Sequence, residues 1–462
     1  MVAALRRLFS GRRHDVDMTE GSTARNLILF ALPLLVGNLF QQLYNMVDTW
    51  VIGQTGENGA FAAVGSVGPI INIMIGLFSG LASGAGVVIS RRFGARDEEG
   101  VRRAVHTSIA ATALLSVVFT ALGILLSPTA VRLMLRGDGG EVYPHAVTYL
   151  TIYFAGIAAL LVYNMGAGIL RAVGDSRHPL YFLVVSAVTN ILLDLLFVFA
   201  FGMGVMGVAL ATVISEVAAA VLTVITLLRS PSCVRLVPRA IRIDPGTLGS
   251  IVLIGIPAAL QMALTAFSNV FVQSYIANVN GDQTAILAGW TAFSKIDMFL
   301  FLPSQSLAMA ATTFVGQNLG AGNVPRARRG ILVAFLLALS VTLPAVGAVM
   351  LGAPHLAGIF NHDPAVVAVA SLLLRYITPF YIFTCVNQVF AAGLRGAGNS
   401  TAPMLIMLTS FVGFRQLYLF VMSSYISNDL IPVAMGYPAG WALCCLVVTV
   451  YYLTYKFKPQ RK

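Results

Sequence analysis

"GILRAVGDSRHP" occupies residues 168–179, and "AGLRGAGNSTAP" occupies residues 392–403. The second restates the first 224 residues later: Arg171 matches Arg395, Gly174 matches Gly398, Ser176 matches Ser400 and Pro179 matches Pro403. At the same offset Pro33 matches Pro257 and Asn45 matches Asn269. "RRFGARDEEGVRRA" (91–104) returns as "GQNLGAGNVPRARR" (316–329) at nearly that offset. One such match carries little weight. Three in the same order imply an internally duplicated chain.

What is duplicated follows from composition. The 462 residues are 58% hydrophobic and 10% charged, with a mean hydropathy of +0.84. Soluble domains carry about 25% charged residues, so a soluble enzyme with one anchor is excluded. A spanning helix needs roughly 20 mostly apolar residues, and twelve such runs can be counted. The expected fold is an all-α polytopic membrane protein, with twelve transmembrane helices in two pseudo-symmetric six-helix bundles. The expected parts are a tail (1–24), an N-lobe (25–228), a linker (229–247), a C-lobe (248–456) and a second tail (457–462). Six spans per half send both halves into the membrane in the same direction. Their symmetry axis then lies along the membrane normal, an arrangement of transporters that bind substrate between two bundles.

The net charge is +11. A basic total can signal nucleic acid, but these charges lie between apolar runs, so no nucleic-acid partner is expected. With the N-terminus in the cytoplasm, 24 of the 29 lysines and arginines fall on that side and only Arg132 and Arg136 on the other. That asymmetry makes both termini cytoplasmic. Cys233, Cys385, Cys444 and Cys445 have no metal-ligand spacing, and no disulfide framework is expected.

Charges inside spans are costly, at least about 2.5–3.5 kcal/mol each near the membrane centre. Seven stand there: Asp48, Asp194, Glu216, Lys295, Asp297, Arg375 and Arg415. Asp48 on span 1 and Asp194 on span 5 fall in the same half of the membrane. Two acids in a low-dielectric cavity can take up a proton or, with further oxygen ligands, a sodium ion. Tyr44 lies one turn before Asp48 and Asn190 one turn before Asp194, so each shares a face with its carboxylate. Glu216 is open to a coupling or a structural role. Lys295 and Asp297, two residues apart, point to different faces. Arg375 and Arg415 read as structural, with Asp297 as their candidate partner. Pro33 should kink span 1, and the charge state of Asp48 could bias straight against bent. Gly76, Gly80 and Gly84 share one face and suit close helix packing.

Four stretches carry a family resemblance: "FALPLLVGNLFQQLYNMVDTWVIGQ", "TNILLDLLFVFAFGMGVMGVALATVIS", "AFSKIDMFLFLPSQSLAMAATTFVGQNLGAGN" and "AAGLRGAGNSTAP". Together they resemble the MATE family of multidrug and toxin extrusion transporters, within the MOP superfamily, and its DinF-like branch in particular. The resemblance covers nearly the whole chain. It implies two six-helix lobes in a V around a central cavity. It also implies export of organic, often cationic, compounds across the cell membrane in exchange for H+ or Na+, by alternating access. The family's N-lobe cation site carries over to Asp48 and Asp194, with Tyr44, Asn164, Asn190 and Thr212 around them and Pro33 at the helix bend. A sodium ion, if used, would sit at Asp48, Asn190 and Asp194.

Two departures stand out. Many relatives follow the span-5 aspartate with proline, where this chain has Leu195. A C-lobe sodium site used by another branch needs acids on spans 7 and 10. Span 7 has none here, and span 10 carries Arg375. Lys295 and Asp297 match the branch's "KID", where a part in substrate handling is implied. The expected partners are a small organic substrate and the lipid bilayer, for a monomer without cofactor. An intramembrane metalloenzyme is disfavoured, since none of the six histidines lies deep in a span. The alternative is a flippase or exporter of a lipid-linked or anionic substrate. It normally needs a strongly basic cavity, and only three basic residues lie in the spans.

Overall fold

A computed structural model of the chain describes residues 17–54, 58–135, 140 and 142–459. Most of both expected tails and Arg136 lie outside the described residues. Among the described residues there is no strand, and twelve helices are long and apolar enough to cross a membrane. They are α1 (Thr23–Gln54), α2 (Asn58–Gly94), α3 (Glu98–Leu135), α4 (Val142–Ala172), α5 (Arg177–Ala200) and α6 (Gly204–Arg229). The second half has α7 (Pro245–Ile276), α8 (Gln283–Gly320), α9 (Val324–Phe360), α10 (Pro364–Gly396), α11 (Thr401–Ile426) and α12 (Leu430–Thr454). Large apolar side chains such as Val117, Leu125 and Leu133 on α3 and Leu351 and Ile359 on α9 are exposed. A lipid-facing helix surface has that character, because the backbone polar groups are satisfied within the helix.

The repeat seen in sequence recurs in the backbone. Gly174 and Gly398 both have positive φ, +93° and +83°. After each, a residue donates back to the helix: Asp175 N–H to Leu170 O at 3.0 Å and Asn399 N–H to Leu394 O at 3.0 Å. This is the left-handed C-terminal stop that favours glycine. The 94–97 and 320–323 turns form a second pair, with Asp97 N–H on Arg92 O and Asn323 N–H on Asn318 O. There Arg96 takes φ 59° where the other copy has Gly322. The chain is therefore stopped and restarted at equivalent places in both halves. Asp175 and Asn399 then cap the next helices, accepting from His178 N and Ala402 N at 3.1 Å.

The helices form two compact units. Unit 1 holds Leu32–Ile256 with Asp17, and unit 2 holds Met18–Ala31 with Pro257 onward. The divisions inside α1 and α7 fall beside Pro33 and at Pro257, the matched prolines of the repeat, while both helices run unbroken through them. In unit 2 the stretch before α1 is anchored: Met18 is fully buried, and its N–H donates to Gln317 Oε1 at 3.0 Å.

In unit 1 the first turns of α7 cross α2 at Gly84 and Gly255. The segment before α7 is tied to α3. Val237 N–H donates to His106 Nε2 at 3.0 Å, and the other ring nitrogen faces Arg102 O at 2.6 Å. That pairing requires the proton on Nδ1. Asp244 N–H donates to Thr107 Oγ1 at 3.1 Å, and Asp244 Oδ2 accepts from Thr247 N–H at 2.8 Å. The bonds from Thr247 hold the exposed Asp244 carboxyl below its ordinary 3.8.

Candidate functional site

The acids of unit 1 meet through a parallel pairing of α1 and α5. Gly37 on α1 lies against Leu183 and Leu180 of α5, and a Cβ there would be 3.1 Å from Leu183 Cδ1. Asp48 and Asp194 each stand three turns further along, 11 residues past Gly37 and Leu183. Helices running the same way keep register over that distance, so close approach at the glycine sets the aspartates side by side. Asp48, Asn190 and Asp194 lie within interaction range of one another. Asp194 is fully buried and Asn190 nearly so.

The polar atoms there are unusually bare. Asp48 Oδ1, both Asp194 oxygens and both Asn190 side-chain atoms are buried and have no well-formed hydrogen bond among the described residues. Two ionised carboxylates offer acceptors only, so facing each other they cannot satisfy one another. A proton or a cation supplies what is missing. Immediately after Asp194 the backbone leaves α-geometry, and Leu195–Ala200 form a π-turn. The irregularity sits where many relatives carry proline, and π-turns gather at functional sites.

Around this pair stands a shell of hydroxyls. Tyr44 is within the electrostatic reach of both Glu216 and Asp48, and Tyr149 of Asp48, Glu216 and Asp194. Tyr149 also pairs with Thr212, whose hydroxyl donates to Val208 O at 3.0 Å. Tyr153 bridges toward Glu216, Tyr149 and Tyr44. Glu216 sits one turn beyond Thr212 on α6 and forms no ion pair among the described residues. The structure thus gathers Asp48, Asp194, Asn190, Tyr44, Thr212 and Glu216. Asn164 stands apart from that gathering, since its amide donates back to Leu160 O at 2.9 Å. Sequence reasoning missed Tyr149 and Tyr153. Their i, i+4 spacing on α4, beside a helix bearing Glu216, was the available signal.

Unit 2 has a different centre. Asp297 on α8 accepts from the Tyr381 hydroxyl of α10, which also reaches Asp297 O at 3.2 Å. Tyr381 packs edge-on against Trp441, at 5.3 Å between ring centres, and Tyr437 lies 5.8 Å from both Trp441 and Trp290. This corrects the pairing expected from sequence. Neither Arg375 nor Arg415 forms an ion pair with Asp297 among the described residues. Arg375 is exposed in the last turn of Pro364–Ile377, too far out to serve a buried acid. Arg415 points to α7 instead, at Ser268 and Asn269. Lys295 is half-buried, on a different face of α8 from Asp297.

Comparison with known proteins agrees with this architecture. The MatE family model matches twice, over residues 33–196 and 257–420, so its two copies begin on Pro33 and Pro257 at the offset of the repeat. The chain is 28% identical over 441 residues to the probable multidrug resistance protein YoeA of Bacillus subtilis, covering 94% of each chain. It is 26% identical to the probable multidrug resistance protein NorM of Thermotoga maritima, covering 94% of this chain and 93% of the relative. Among solved structures it resembles an outward-facing multidrug resistance MATE family transporter of the MOP superfamily, with a TM-score of 0.90, 25% identity and coverage of 95% and 97%. It also resembles a MOP superfamily transporter from Pyrococcus furiosus whose binding pocket is described as having reverse polarity, with a TM-score of 0.89 and 26% identity, covering 95% of this chain and 97% of that one. Twelve spans, a duplicated half beginning on a matched proline and a family match over both halves converge on one conclusion: this chain belongs to the MatE family of multi-pass membrane transporters.

Proposed function

We propose that the protein is a secondary antiporter that exports organic, often cationic, compounds across the cell membrane, with both termini in the cytoplasm. Inward movement of H+ or Na+ drives it. The coupling ion occupies the Asp48–Asn190–Asp194 cluster, with Tyr44, Thr212 and Glu216 around it. One observation carries this reading: a pair of acids in unit 1 that face each other with bare, buried oxygens. An empty pair of ionised carboxylates is costly there, and a loaded pair is not. Loading therefore changes which conformation is favoured, and a coupling ion acts only through such a difference between states. Relatives named as multidrug resistance proteins support organic substrates.

The test uses purified protein in liposomes, wild type beside Asp48→Asn. A pH gradient or a sodium gradient is imposed separately, and a fluorescent organic cation is followed. Uphill movement under one gradient, lost in the variant, identifies the ion. Movement that is unchanged in Asp48→Asn rejects the assignment.

A further inference from the structure

The repeat maps α1 onto α7 and α5 onto α11, so the helix pair that holds the acids in unit 1 has a counterpart in unit 2. That counterpart holds the opposite charge. Arg415 on α11 is 2% exposed. Its Nη2 donates to Ser268 Oγ at 2.8 Å and to Asn269 Oδ1 at 2.9 Å, both on α7. Asn269 is the residue that the repeat matches to Asn45, one turn from Asp48. The guanidinium carbon stands 4.8 Å from the Tyr437 ring centre and 5.9 Å from that of Phe411.

A guanidinium has five N–H donors, and two acceptors account for one nitrogen only. Nε is sealed from solvent without an acceptor, and no carboxylate lies within ion-pair distance of Arg415 among the described residues. A buried cation ordinarily has a paired acid. Here aromatic faces and two neutral oxygens take that place, which leaves part of the fork unused.

The local backbone is also unusual. Arg415 follows directly on a π-turn, Thr409–Phe414, and a second, Met422–Ile426, ends the helix. Further along, α7 and α11 part to form a cavity of about 340 Å³ lined by Phe271, Ser274, Tyr275, Asn278, Ser423 and Asn428. The nearest of these residues on α7 is one turn past Ser268, and Ser423 is about two turns past Arg415. The cavity therefore opens between the same two helices that the arginine joins.

We propose that Arg415, with Ser268 and Asn269, forms an anion subsite in unit 2 that takes the carboxylate of a small aromatic organic acid entering between α7 and α11. The remaining donors of the fork match a carboxylate in number and geometry, and the Tyr437 and Phe411 rings supply a wall for the aromatic part. The inference deepens the export reading and rests on it. It adds acids and zwitterions to the cations that the unit 1 acids suggest.

Equilibrium dialysis of tritiated 2-naphthoate against purified wild-type protein, beside its neutral methyl ester, reads the subsite directly. The acid should bind saturably and about tenfold or more tighter than the ester, the discrimination expected of a charge-assisted bond to a buried partner. Arg415→Gln should abolish that preference. Asn269→Asp is the second variant. It places a carboxylate beside the guanidinium, keeps the arginine neutralised, and should leave a folded protein that no longer prefers the acid. No acid binding in the wild type, equal binding of acid and ester, or a preference that survives in folded Asn269→Asp would each overturn the proposal. Dialysis needs no gradient, so its outcome is separate from that of the liposome experiment: either reading can fail while the other stands.

Discussion

Gly84 on α2 and Gly255 on α7 meet backbone to backbone: a Cβ on Gly84 would lie 2.6 Å from the Cα and N of Gly255 and 2.6 Å from Ile251 O. Nothing at this crossing is a flexible side chain that could yield. Gly84→Ala should therefore destabilise unit 1 by about 1–3 kcal/mol through overpacking, read as a lower melting temperature in detergent. Gly53→Ala serves as the control, because nothing lies within 4 Å of the added carbon. Equal melting of the two variants would reject the crossing as a constraint.

Replacing one of the facing acids should have the opposite effect on stability. Asp194→Asn introduces an amide that can donate to Asp48, turning an acceptor–acceptor contact into a hydrogen bond. The variant should match or exceed wild-type stability by about 1 kcal/mol, while gradient-driven transport falls to the leak of empty liposomes. A clear loss of thermal stability would mean that Asp194 has a structural partner.

Tyr381→Phe removes the hydroxyl that Asp297 accepts. The acid is then left without that donor, and stability should fall by about 1–3 kcal/mol. A double-mutant cycle with Asp297→Asn separates the pair from its surroundings. Coupling near zero would show that the contact contributes nothing.

The ties on the segment before α7 make two more predictions. His106→Phe removes the acceptor of Val237 N–H, and hydrogen exchange at that amide should speed by about tenfold. Exchange unchanged from wild type would show that His106 is not the clamp.

Asp244 gives a pH dependence. Its folded carboxyl is held below 3.8, so its contribution is complete above that value and disappears as the pH falls through the lower, folded value. The stability difference between wild type and Asp244→Ala should shrink in that acid range. A difference that stays constant down to the acid limit of folding would remove the Thr247 capping bond as its source.

The acids were legible in sequence because an apolar background makes a carboxylate conspicuous, and one-turn spacing placed Tyr44 and Asn190 on their faces. The duplication was legible because turns such as 174–175 and 398–399 need particular residues. Other features left no such mark. The π-turn after Asp194 is a change of hydrogen-bond register in a stretch, "LLFVFA", that could equally be α-helix. Tyr149, Tyr153 and Tyr381 look like ordinary core aromatics until an acid is placed beside them. The partners of Arg415 lie 146 and 147 residues away in the chain. The sequence view favoured the acid because charge alone was visible, whereas the fold brought the guanidinium to a serine and an asparagine.

The divisions of the two units at Ala31 and Ile256 have a consequence for dismantling the protein. A cut anywhere in 230–244 would produce two polypeptides, neither of them self-sufficient. The first would retain Met18–Ala31, which unit 2 requires, and the second would retain 245–256, which unit 1 requires. Each fragment would hold hostage the beginning of a helix in the other. Expressed alone, either should be degraded; expressed together with separate tags, they should co-purify. The two copies of the ancestral half are thus spliced through their first helices, and severing the peptide between them would not set them free.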